Sequence, residues 1–181
     1  MAEDNATPPG TPSNTDQAAQ PGAADAPVWQ VVTQYIKDLS FENPGAPEVF
    51  LSGGNAGPTS VNINVQVNRL PDDIYAVDLS LSVKATREDK VLFDLELVYG
   101  GAFRIKNVPE NQLAPLLMVE CPRMLFPFAR QVMAATTQSG GFPPLMLEPV
   151  DFAALYRRNL QQMSEAQAKQ NGGQPPTPGQ A

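Results

Sequence analysis

The sequence predicts an α+β fold: a four-stranded antiparallel sheet with two helices packed on one face. Three observations carry this. Residues 61 to 99 hold three runs of strict apolar/polar alternation joined by short turns. A fourth alternating run, Val28 to Phe41, precedes them. The densest apolar stretch, Glu120 to Tyr156, follows and is divided by Pro122, Pro127, Pro143, Pro144 and Pro149. Period-2 alternation marks a strand with one buried and one wet face. An interior proline removes a helix hydrogen bond and clashes with the preceding turn. The proline-divided stretch therefore reads as helix, loop, helix. It is no membrane span, which needs about 20 unbroken apolar residues.

In the first strand Trp29, Val31, Thr33, Tyr35, Leu39 and Phe41 share one face, and Gln30, Gln34, Asp38, Ser40 and Glu42 the other. Lys37 interrupts the apolar face, so a bulge or strand end is expected there. Asn43 to Ser60 is rich in proline and glycine and reads as a loop. Its apolar island, Val49-Phe50-Leu51, either covers a core edge or contacts a ligand. The next strands follow Val61 to Val67, Tyr75 to Val83 and Val91 to Tyr99, with turns at Pro71-Asp72-Asp73 and Arg87 to Lys90. They form a meander. The long first connection leaves the first strand free to pair on either edge. Gly100-Gly101 reads as a kink or bulge.

Asn107 to Val119 reads as a short helical piece starting at Pro109. The first main helix is placed from Pro127 to Ser139, with Gly140 and Gly141 supplying the positive φ that ends it. It is apolar or small nearly all round, more than one sheet face can cover, which implies subunit contacts. Asp151 suits the N-cap of the second helix. There Phe152, Leu155, Tyr156, Asn159, Leu160 and Met163 share a face. The domain is placed at 28–163. It lies between a disordered acidic Pro/Ala-rich tail, 1–27, and a disordered Gln/Gly/Pro tail, 164–181.

The chain has 181 residues, 19 Asp+Glu, 12 Lys+Arg and no histidine, for a net charge of −7. An acidic surface favours basic partners over nucleic acid, whose affinity comes from neutralising phosphates. Without histidine there is no Ser-His-Asp triad, no Cys-His pair and no histidine metal ligand. Cys121 is the sole cysteine and reads as a small buried thiol, not a nucleophile. No catalytic, cofactor or metal site is expected. Residues 1–27 show no basic n-region or apolar h-region, so the expected location is the cytoplasm. Asp38, Glu42, Asp78, Asp94 and Glu96 fall on the wet sheet face, where they keep it solvated or recognise a basic partner.

The chain resembles the SecB export chaperones from Val31 to Met163. The resemblance rests on Lys37-Asp38-Leu39-Ser40-Phe41-Glu42, Pro44, Ala46-Pro47, Val49-Phe50, Asp73-Ile74-Tyr75 and Tyr99-Gly100-Gly101. It continues through Cys121-Pro122, Leu125-Phe126-Pro127-Phe128-Ala129-Arg130, Gly141-Phe142-Pro143, Leu145, Leu147, Pro149-Val150, Phe152 and Leu155. It implies a SecB-like dimer of dimers that binds unfolded precursor proteins without ATP, inserts into no membrane, and delivers them to the SecA motor. It also implies that Asp38, Glu42, Glu96 and Asp94 meet SecA. Phe50, Leu51, Phe126, Phe142 and Tyr156 are the candidate groove residues for unfolded chains. A general stress holdase and a tetrameric adaptor for one folded partner are the rival readings.

Overall fold

The computed structural model describes residues 26–51, 59–88 and 90–171. Nearly all of the expected N-terminal tail, the middle of the first loop and the last ten residues lie outside that set. The sheet comprises β1 (Val28–Glu42), β2 (Thr59–Leu70), β3 (Ile74–Arg87) and β4 (Lys90–Lys106). Its order is β1-β4-β3-β2, antiparallel throughout. The meander of the last three strands is present, and β1 takes the edge beside β4. The island Val49-Phe50-Leu51 lies in a single helical turn, α1 (Glu48–Leu51).

Alternation decides the two faces. Val65, Val77, Leu79, Leu81, Val83, Leu95, Leu97, Phe103 and Ile105 are buried on the helix side. Onto them packs α3 (Cys121–Ser139), through Cys121, Leu125, Ala129, Met133 and Thr137. These recur every four residues and form one stripe. Phe152, at the start of α4 (Phe152–Asn171), joins the same core.

The first main helix begins much earlier than Pro127. The chain is helical from α2 (Glu110–Pro115) through a π turn, Leu116–Glu120, into α3, despite Pro115, Pro122 and Pro127. The π turn is the physical reason. The Cys121 N–H donates to the Leu116 carbonyl, five residues back. That wider turn directly precedes Pro122 and eases the crowding of its ring against the turn before it. The short helical piece and the first main helix are thus one rod.

At its end the two glycines have different reasons. Gly141 has φ +88°. Gly140 has φ −75°, and a Cβ there would overlap the Phe41 ring. Gly140 is small for space, and only Gly141 for backbone conformation.

The Asp151 cap is present: the Ala154 N–H donates to Asp151 Oδ1 at 2.9 Å and the Leu155 N–H to the Asp151 carbonyl at 3.0 Å. The helix then runs to Asn171, eight residues past Met163, where the tail was expected to begin. Ser164 to Asn171 contains Glu, Ala, Gln and Lys, with no glycine or proline before Gly172, so nothing stops it earlier.

The β1/β4 register steps between Ile36 and Asp38, which is the bulge expected at Lys37, and also between Val31 and Thr33. Each extra residue inverts the alternation that follows. Gln34 therefore lies opposite Gly101 and Ile36 opposite Tyr99 on the helix side, while Tyr35 lies opposite Gly100 on the open side. This reverses the sequence assignment of Tyr35 and Gln34, and of Thr33, which lies opposite Ala102 on the open side. Gly100 and Gly101 are not themselves a bulge, because both neighbouring ladders run through them in register. They are close-approach sites. A Cβ on Gly100 would meet the Tyr35 ring at 2.7 Å, and one on Gly101 would meet Leu125 at 2.7 Å.

Candidate functional site

Two surfaces emerge on opposite sides of the sheet. The first is aromatic. Phe93, on β4, is buried, and the Phe142 ring centroid lies 5.0 Å from it. Phe50, at the end of α1, stands 5.2 Å from Phe142, and Phe41 stacks on Phe93 at 5.8 Å. The cluster is anchored in the core at one end and open at the other. There Phe50 is 45% exposed and Leu51 83% exposed. An apolar patch whose rings already pack on one another offers burial at a lower ordering cost.

The backbone that carries Phe142 is tied down by a residue the sequence reading passed over. Thr137 is fully buried, with Oγ1 3.1 Å from the Met133 carbonyl and 3.0 Å from that of Ala134. The same oxygen accepts the Leu145 N–H at 2.9 Å. The loop after α3 is therefore pinned back onto the helix. The only sequence signal was a polar residue continuing a stripe of core positions.

Phe50, Leu51 and Phe142 belong together, but the other two groove candidates do not join them. Phe126 is only 7% exposed and packs edge-on against Phe152 at 5.9 Å, so it is core. It lies beside the helix stripe, one residue after Leu125. Tyr156 is half-buried and lines a separate hollow of about 430 Å³ with Pro115, Leu116, Val119 and Ala153.

The second surface is the open face of the sheet. Ser40 lies opposite Glu96, Glu42 opposite Asp94 and Asp38 opposite Val98. The four carboxylates Asp38, Glu42, Asp94 and Glu96 thus share one face at neighbouring register. Lys84 holds Asp94 at 3.2 Å. Asp38, Glu42 and Glu96 form no ion pair among the described residues. Asp38 and Glu96 border a shallow hollow of about 290 Å³ that Asn62, Asn64, Ser80 and Ser82 help to line. Three unneutralised carboxylates on one flat face set up a negative potential suited to a basic partner. Asp78 does not belong to this patch. It is buried and pairs with Lys37 at 2.6 Å.

Cys121 is fully buried. Burial pushes its thiol up to about 12, against a weaker opposing pull from the Trp29 indole hydrogen bond. It is packing, as the sequence predicted.

Two apolar strips remain uncovered in the single chain. Phe128 projects from α3 and stacks on Tyr99 at 6.5 Å, with Val132 and Ala135 continuing its side of the helix. Along the free edge of the sheet, Trp29, Val32, Ile36 and Leu39 of β1 are all exposed.

Residues 22–163 match the family described as preprotein translocase subunit SecB. The chain belongs to the SecB family. It is 50% identical over 152 residues to the protein-export protein SecB of a Bradyrhizobium species, covering 84% of this chain and 94% of that one. The SecB of Bartonella quintana is 52% identical over 134 residues, covering 74% and 85%. In fold the chain is similar to a SecB-like chaperone from Mycobacterium tuberculosis, solved with a ChAD peptide from an antitoxin. The TM-score there is 0.57 at 15% identity, over 67% of this chain and 90% of that chain. SecB membership gives the two surfaces their context.

Proposed function

We propose that this chain is an ATP-independent chaperone of protein export. It binds unfolded precursor proteins in the cytoplasm, keeps them competent for translocation and delivers them to SecA. The observation that carries this reading is the aromatic cluster, anchored on Phe93 and open at Phe50 and Leu51. Such a surface takes any apolar segment, because burial yields about 25 cal/mol per Å² whatever residue supplies it. Native proteins keep those segments inside, so the chaperone withdraws only unfolded chains from folding.

SecA docks on the other side of the sheet, against Asp38, Glu42, Glu96 and Asp94. Client and receptor therefore need not compete for one surface. The working unit is a homotetramer, a dimer of dimers. The exposed apolar edge of β1 and the Phe128 side of α3 are what a second and a third subunit would cover. Several patches in one particle let modest affinities combine on a single long client.

Phe50→Ser tests the client site. It removes the exposed ring and leaves Phe93 in the core and Phe142 packed against it. Binding of an unfolded precursor, measured by fluorescence anisotropy, should weaken about tenfold or more, the scale of one buried phenylalanine. Unchanged affinity in a variant of unchanged mass would remove this patch from the client site.

A further inference from the structure

Lys37 breaks the apolar alternation of β1, and it stands at the register step between Ile36 and Asp38. Its Nζ lies 2.6 Å from Asp78 Oδ2. Asp78 is on β3, two strands away, opposite Gly100 of β4, which in turn lies opposite Tyr35. The lysine must span β4, and it does so beside a residue with no side chain. A Cβ on Gly100 would come within 3.1 Å of Asp78 Oδ1 and 2.7 Å of the Tyr35 ring. The Asp78 side chain is only 4% exposed, and its Oδ1 has no hydrogen-bond partner. A buried, half-satisfied carboxylate is costly unless a cation stays on it. The hydrogen bond to Asp78, followed by its charge, raises the Lys37 pKa, so the ammonium persists.

The bulge that this pair fixes decides where the acids point. Tyr35 and Asp38 are three residues apart, yet both lie on the open face. Without the extra residue, Asp38, Ser40 and Glu42 would turn toward the helices and Leu39 and Phe41 toward solvent. We infer that the Lys37–Asp78 ion pair is a positioning device for the acidic face. It holds the bulge that presents Asp38 and Glu42 beside Glu96 to a basic protein partner. The inference rests on the reading of that face as the SecA surface.

Charge alone and positioning predict opposite signs. Lys37 adjoins the acidic patch, so by charge its removal should tighten binding of a basic partner. By positioning, removal should loosen the bulge and weaken binding. The experiment titrates the full-length protein with SecA by calorimetry, comparing Lys37→Met, Asp78→Asn, the double variant and Glu96→Gln. Amide exchange over residues 37–42 is followed in parallel. Lys37→Met should raise the Kd about tenfold, and the double variant should be no worse than either single one, as expected of two groups acting together. Exchange at residues 38–42 should quicken, while precursor binding stays unchanged.

Equal or tighter SecA binding by Lys37→Met, where Glu96→Gln weakens it, overturns the inference. If Lys37→Met does not fold, Asp78→Asn keeps the side-chain shape, and because its lost charge alone would also weaken binding, amide exchange decides: faster exchange at residues 38–42 sustains the inference and unchanged exchange overturns it. If Glu96→Gln also leaves SecA binding untouched, the docking-face reading is what fails. Amide exchange then decides the positioning device alone: faster exchange in the bulge sustains it, and unchanged exchange overturns it.

Discussion

Thr137 shows how one hydroxyl can hold the loop that carries Phe142. It satisfies a helix carbonyl and the Leu145 N–H together in a buried site. Thr137→Val keeps the shape and removes the acceptor. The stranded N–H should cost about 1–3 kcal/mol, read as a lower urea midpoint. An unchanged midpoint would mean that water or another group replaces the hydroxyl. Cys121 makes a pH prediction. Its folded pKa lies near 12 against an ordinary 9.0. Because the folded value is the higher, its contribution to stability is whole below pH 9 and is lost as pH rises from 9 toward 12. Native protein at pH 8 should resist iodoacetamide and react once denatured; rapid alkylation of the native protein would contradict the burial of the thiol. Such details were partly legible. Residue type marked Cys121 and the Asp151 cap, whereas Phe126, a groove candidate by sequence, is buried against Phe152.

The elements follow the sequence wherever periodicity is the deciding signal. Strands β2, β3 and β4 and their turns sit where alternation placed them. Two devices broke the reading elsewhere, both of them single-residue insertions in a regular ladder. The bulge at Val32 turned Tyr35 to the open face, and the π turn at Leu116–Glu120 joined two expected helices into one rod. Neither leaves a periodic trace, because each changes the phase of the pattern and not its period. The acidic face is a property of β1 and β4 together, and its test belongs there. Asp38→Asn with Glu96→Gln should weaken SecA binding about tenfold at low salt, with the difference shrinking near 0.5 M salt, where screening is strong. A loss independent of salt would point to shape and not charge. On α3, Phe128→Glu should lower the solution mass by breaking a helix-mediated contact between subunits. Retention of the full mass would free that side of the helix from any interface.

The whole molecule is a sheet with two chemically different sides. Helices and aromatic cluster occupy one side, acids the other, and the edge strand is left apolar and exposed. An exposed apolar edge is a ready template for pairing with another chain, which is what the proposed assembly would cover. The sequence points to assembly only indirectly, through a helix with more apolar surface than one sheet can cover. The most direct test of the account is mass by light scattering, for the protein alone and with an unfolded precursor that lacks stable structure. The account predicts a mass of four subunits that rises by one precursor chain. A monomer that ignores unfolded chains would contradict it.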